Sequence, residues 1–290
     1  MKPRLEQAIP KMQEVMQKQG SRLLRYAQVR DVIQKNRQVW RLAQTTSLKQ
    51  IIAFLKERGV LTEAVLDFPA RKETRYSLQK PDVYELVMSL NPKGYFSHYT
   101  AMSLHELTDQ IPKNVYFNVE QSPKPAPVEP LVQDRIDAAF ARAPRRSSNT
   151  AAFGDLTVTV LSGMHTGAAG IISLDVGLSR PLSVAGVERT LIDSAVRPFY
   201  SGGVFEVLNA YRRARGRFSI RALIELLRDL NYTYPYHQAI GFYLERAGGY
   251  DREVSLMLEQ FERRYDFWLT HQIRKPEYSA RWRLRYPKGL

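Results

Sequence analysis

The sequence predicts an α+β, helix-rich protein, and three observations carry that prediction. Apolar residues recur at three- and four-residue steps toward both ends of the chain, short alternating runs interrupt them in the middle, and 44% apolar residues supply material for extensive cores. A length of 290 residues fits more than one packed unit. The expected organisation is three helices and a hairpin over residues 1–80, followed by a larger unit over 81–290. The latter reads as mixed α/β over 81–180, mainly helical over 181–270, and closes in a basic strand over 271–290.

The first unit is the most legible. Leu5, Ile9, Met12 and Met16 form a stripe with Arg4, Lys11 and Lys18 off it, so residues 4–18 read as an amphipathic helix. Gly20-Ser21 breaks the pattern, and a second helix is expected over 22–35 on Leu23, Leu24, Ala27, Val32 and Ile33. A short element with Val39, Trp40 and Leu42 closes in Thr45-Thr46-Ser47. Ser47 followed three residues later by Gln50 is a capping-box pattern opening a helix over 48–58, whose Leu48, Ile51, Ile52 and Leu55 share one face. Gly59 stops it. Residues 60–66 and a run from Thr74 read as two strands joined by Phe68 to Glu73. Three helices and then a hairpin is the element order of a winged helix-turn-helix.

Charge points the same way. The chain has 43 Lys and Arg against 29 Asp and Glu, a net of +14. Residues 1–80 hold a net of +10, residues 81–270 a net of −1 and residues 271–290 a net of +5. A basic helical unit on a charge-balanced body is what a phosphate-backbone binder shows. Lys49 and Gln50 are the candidates for base edges; Arg41, Lys56, Arg71, Lys72 and Arg75 are the candidates for phosphates. Thr45, Thr46 and Ser47 stand at the helix N-terminus, where free N–H groups favour phosphate. Any one of these charges taken alone reads as a solvated surface group; the argument rests on their joint pattern.

Past Pro81 the texture changes. Helices are expected over 82–90 and 99–107, strands over 115–119, 156–161 and 171–174, and loops over the proline-rich 122–130 and over 145–149. Helical patterns then cover 187–196, 204–215, 220–230, 237–247 and 254–264. In Arg281 to Tyr286 strict alternation puts Trp282, Leu284 and Tyr286 on one face and three arginines on the other. That reads as a half-buried edge strand, with a stacking surface for single-stranded bases as the alternative.

Catalytic patterns are scarce. The absence of cysteine excludes disulfides, thiolate metal sites and a cysteine nucleophile. His98, His105, His165, His237 and His271 form no metal-binding spacing, and no phosphate loop, dinucleotide fingerprint or nucleophile elbow occurs. A nuclease remains the enzymatic alternative, although the chain has no Glu-x-Lys triplet. Glu188, Arg189 and Asp193 read as local ion pairs on one helix. With no apolar run long enough for a signal peptide or a membrane span, a cytoplasmic, non-enzymatic protein without metal or cofactor is expected.

The segments Tyr95-Phe96-Ser97-His98-Tyr99-Thr100-Ala101-Met102, Leu104-His105 and Val187-Glu188-Arg189-Thr190-Leu191-Ile192-Asp193, behind a basic winged-helix-like start, resemble the AbiEi family. These are the antitoxins of AbiE-type (type IV) toxin–antitoxin systems of phage defence. Gln238 to Gly248 fits the same layout, while the basic helix over 4–18 is extra to the compact family pattern. The resemblance implies a transcriptional autorepressor that binds double-stranded promoter DNA through its N-terminal domain, with inverted repeats and a homodimer on DNA as the expected arrangement. It further implies a larger C-terminal domain that counteracts a cognate nucleotidyltransferase-type toxin without need of a stable complex.

Overall fold

The structure, a computed structural model, describes residues 2–19, 22–125 and 130–290. The expected break at Gly20-Ser21 and residues 126–129 of the proline-rich loop lie outside the described residues. In chain order the elements begin with α1 (Lys2–Gln17), α2 (Tyr26–Asn36), α3 (Leu48–Glu57), β1 (Thr62–Phe68), β2 (Arg71–Ser77) and α4 (Val83–Met88). They continue with β3 (Tyr95–Phe96), α5 (His98–Leu104), β4 (Asn114–Glu120), α6 (Gln133–Ala141), β5 (Thr150–Phe153), β6 (Leu156–Gly163), β7 (Ile171–Leu174) and β8 (Leu182–Ala185). Last come α7 (Val187–Val196), a 3₁₀ turn (Pro198–Tyr200), α8 (Val204–Arg213), α9 (Ile220–Asp229), α10 (Tyr236–Ala247), α11 (Asp251–Gln260), β9 (Phe267–Trp268), β10 (Pro276–Ser279) and β11 (Leu284–Pro287). The chain is thus an α+β protein, and no helix among the described residues is long and apolar enough to cross a membrane.

Two compact units divide these elements: Met1–Pro92 with Asn149–Asp155, and Lys93–Ser148 with Leu156–Leu290. The first therefore runs past the change of texture at residue 80, because α4 packs with it, and it also takes in β5.

In the first unit, Leu5, Met12 and Met16 of α1, Val29, Val32 and Ile33 of α2, and Ile51, Ile52 and Leu55 of α3 share one buried cluster with Trp40 and Leu42. The capping box is formed: Ser47 Oγ accepts from the Gln50 N–H, and Gln50 Oε1 accepts from the Ser47 N–H at 2.8 Å. Gly59 ends α3 at φ 65°, a left-handed conformation that glycine adopts without strain. Helix α2 starts later than residue 22 because Leu24 instead pairs with Tyr76 as a β-bridge; both its backbone groups are used by Tyr76. The hairpin also differs from expectation. Phe68 pairs directly with Arg71, so only Pro69-Ala70 forms the turn and Arg71 to Glu73 belong to the strand.

In the second unit the strands lie side by side in the order β6-β4-β3-β8-β7. β4 runs parallel to β6 and antiparallel to β3, and β3 runs parallel to β8. Helices α7 to α10 bury a common core in which Tyr211 stacks on Tyr243 at 5.2 Å between ring centres. Against this core sits a small sheet in the order β10-β11-β9. The alternation of Trp282, Leu284 and Tyr286 is borne out, since all three are buried. The edge assignment is not: β11 pairs on both sides, antiparallel with β10 and parallel with β9. The strand also begins later than expected, because Arg281 to Arg283 form a turn ahead of β11, and the three arginines are engaged, Arg281 with Glu245, and Arg283 and Arg285 with Asp266.

Candidate functional site

The first candidate site is the outer face of α3 with its approaches. Thr45, Ser47, Lys49, Gln50 and Lys56 are exposed there, because the core claims the Ile51 and Leu55 side of the helix. Arg37 builds the approach: its Nη2 donates to Ala43 O at 3.1 Å and also to Thr46 O, which fixes the turn that delivers Ser47 to its capping position. Sequence reasoning passed over Arg37, since nothing local separates a bracing arginine from a surface one.

Two residues of the expected contact set are not available to a ligand. Thr46 is 2% exposed, held inside the turn. Arg75 is 3% exposed, and its guanidinium is consumed by Ser89 Oγ at 2.9 Å, Ser89 O at 3.0 Å, Thr74 O and Glu73. It joins β2 to the end of α4. Among the other cations, Lys56 pairs with Glu63 and Arg71 with Glu73. Arg41, Lys49 and Lys72 are exposed and have no ion-pair partner among the described residues. Gln50 has its carbonyl committed to the cap, so it presents its amide donor but not the paired donor and acceptor that bidentate reading of adenine requires.

The second candidate site lies in the second unit, where α7 meets β3 and β4. Arg189 and Asp193, one turn apart, form a buried ion pair of 2.8 Å. Arg189 further donates to Ala169 O at 2.6 Å, to Thr166 Oγ1 and to the Tyr95 hydroxyl. Tyr95 in turn accepts from Asn118 at 2.7 Å and donates to Glu120, while Glu120 accepts from the N–H groups of Thr166 and Ala168. Burial raises the Asp193 carboxyl above its ordinary range, with Arg189 opposing that shift. Glu188 points away and accepts from the Ser219 N–H, as five-residue spacing requires. The local pairing expected of this helix is present, but its links to Tyr95, Asn118, Glu120 and Tyr232 come from strands and loops far apart in sequence. Beside the network is a small cavity of about 50 Å³, bordered also by His98 and Arg197.

Among the described residues no group of three or more His, Asp or Glu side chains is placed to hold a metal ion. His98 Nδ1 bonds Ser97 Oγ and His105 Nε2 bonds Ala185 O at 2.7 Å. Burial is the main cause holding His98, His105 and His237 below the usual histidine range, His237 at about 4. These rings stay neutral in the folded chain and gain a proton only on unfolding. Stability is therefore full above the unfolded value near pH 6.5 and lost as pH falls through the folded value. The slope reaches about 1.4 kcal/mol per pH unit for each such histidine. A melting temperature that is level above about pH 7 and falls below about 6.5, with a shallower fall in His237→Gln, is the expected result; an equal fall in that variant would contradict it.

The class defined by this geometry is an α+β protein with a basic, helix-presenting N-terminal unit, and its fold recurs in a solved protein along nearly the whole chain. That protein is the RV2827C protein from Mycobacterium tuberculosis, whose crystal structure superimposes with a TM-score of 0.63 at 14% identity, covering 96% of this chain and 90% of the other. No protein-family model and no curated protein matches the sequence.

Proposed function

We propose that the protein is a sequence-specific DNA-binding autorepressor of the AbiEi antitoxin type, its N-terminal unit a winged helix-turn-helix with α3 as recognition helix and the β1–β2 hairpin as wing. One observation carries the reading: α3 opens in a formed cap and presents Lys49 outward behind exposed Thr45 and Ser47, while Arg41 beside it and Lys72 on the hairpin form no ion pair among the described residues. An α-helix fits the major groove, and unpaired cations gain most from phosphates because no existing ion pair has to break. Lys49 reads a base edge; Arg41 and Lys72 grip the backbone; Arg71 and Lys56 can join only by leaving Glu73 and Glu63. Promoter DNA with inverted repeats, bound by a homodimer in the cytoplasm, and a cognate nucleotidyltransferase-type toxin are the partners of this reading. The second unit then serves the antitoxin role without catalysis of its own.

The test is binding of the full chain to the duplex upstream of its own reading frame against a scrambled duplex of equal length. Lys49→Ala is expected to narrow the preference by about 1–3 kcal/mol, roughly tenfold or more, at one position of the site. Equal binding of both duplexes by the unsubstituted chain would sink the proposal.

A further inference from the structure

We propose that the cavity bordered by His98, Asn118, Arg189 and Arg197 in the second unit binds a phosphate-sized oxyanion. This goes beyond the DNA-binding reading and does not depend on it.

The buried network described above has consumed most of its own polar groups, and what it leaves over faces the cavity. Arg197 follows the last turn of α7 and is half-buried, and its guanidinium has no hydrogen bond or ion pair among the described residues. Asp193 acts on Arg197 from the same wall, but its carboxylate is bound to Arg189, so a half-buried guanidinium with no hydrogen bond of its own gains from an anion seated beside it. His98 is 5% exposed, and its Nδ1 is held by Ser97 Oγ at 2.9 Å. The ring borders the cavity, and its Nε2 has no hydrogen-bond partner among the described residues. The Nδ1 bond to Ser97 Oγ fits either tautomer, and the proposed site uses the one in which the hydroxyl donates, which leaves the ring proton on Nε2 as a donor. The ring is delivered by a backbone at φ 52°, a left-handed conformation that costs a residue other than glycine on the order of 1–3 kcal/mol and collects at ligand sites.

Electrostatics agree. After burial, the influences that hold His98 below its ordinary range are the charges of Arg197 and Arg189, with no carboxylate acting the other way. Both arginines thus act on the ring, while Asp193, on the same cavity wall, is bound to Arg189 at 2.8 Å. Arg189 supplies mainly field rather than contacts, since Asp193, Thr166, Ala169 and Tyr95 occupy most of its N–H groups.

Size sets the class of ligand. The volume is about 50 Å³, and a water needs about 10–15 Å³ of such space, so roughly four oxygens fit, the number around a phosphorus atom. Gly163 keeps the wall open, because a Cβ there would stand 2.5 Å from Asn118 Oδ1. That Oδ1 is an acceptor, which a fully deprotonated oxyanion would repel and which the P–OH of a protonated phosphate can meet. The phosphate can be the free ion or the end of a monoester entering past Met164, which is 44% exposed at the rim.

Calorimetric titration of the full chain in chloride buffer, with inorganic phosphate in one arm and adenosine monophosphate in the other, tests the assignment. Saturable binding in the millimolar range or tighter is expected in at least one arm, weakened at least about tenfold in Arg197→Gln and in His98→Asn, which keeps a residue tolerant of positive φ. Binding of phosphate alone identifies the free ion; binding of the nucleotide with the same Arg197 dependence identifies the ester. Should either variant fail to fold, Met164→Glu, a charge placed at the exposed rim, is expected to weaken binding by a similar factor with an unchanged melt. No saturable heat in either arm up to about 20 mM, or undiminished binding by a folded Arg197→Gln, would overturn the proposal.

Discussion

Replacing Arg189 with alanine is expected to destabilise the second unit by about 3–5 kcal/mol, because the buried Asp193 then loses the one cation bound directly to its carboxylate, and Arg197 forms no ion pair with it to take that place. Arg189 also holds the Tyr95 hydroxyl and the carbonyl of Ala169, so the loss reaches β3 and the loop before β7 as well as α7. A charge-free pair of similar volume, Arg189→Met with Asp193→Leu, is expected to recover most of the loss, since both desolvation costs vanish together. Chemical denaturation of the full chain measures this. A change below about 1 kcal/mol in Arg189→Ala would mean that water reaches the pair.

Trp282→Ala is the second large effect, at about 3–5 kcal/mol. The indole is 1% exposed, and its Nε1 donates to Glu245 at 2.7 Å. It lies directly on the backbone of α10 at Gly241, where a Cβ would come within 2.1 Å of the ring. Gly241→Ala is accordingly expected to force the indole out of place, at about 1–3 kcal/mol. Both values follow from packing of the Trp282 indole, in the turn ahead of β11, on α10 and bear on the alternative of a base-stacking C-terminus. That surface would need its aromatic face free, and Trp282, Leu284 and Tyr286 are all buried. Loss of thermal stability in Trp282→Ala is the expected outcome; an unchanged melt would contradict the packing account.

What could be read from the sequence was what repeats locally. The α3 cap, the stripe of α1 and the limits of α7 each rest on side chains within one or two turns, and each stands in the structure as expected. Helix α6 was missed because Ile136 and Phe140 are its only buried residues, too few to set a period. Strand β8, four residues long, was lost for the same reason. Arg75 shows how one turn decides a site. With the hairpin turn at Pro69-Ala70, Arg75 falls opposite Ala64 on the side of the hairpin shared by Leu66 and Phe68, all buried. A turn assumed to run from Phe68 to Glu73 hides that parity, and the residue is mistaken for a surface cation. The Arg189 network was legible only as an i, i+4 pair, because Tyr95, Asn118, Thr166 and Tyr232 reach it through the sheet and loops.

The central claim is that α3 and the hairpin bind DNA through exposed cations that form no ion pair among the described residues. The salt dependence of binding by the full chain to its own upstream duplex tests this most directly. Each phosphate contact contributes about 0.9 to the slope of log affinity against log salt, so Arg41 and Lys72, the two backbone contacts, together account for about 2 units. The account predicts that the Arg41→Ala, Lys72→Ala double variant loses that much slope while melting like the unsubstituted chain, since both side chains are exposed. A slope unchanged in the variant, or binding that does not respond to salt at all, would contradict it.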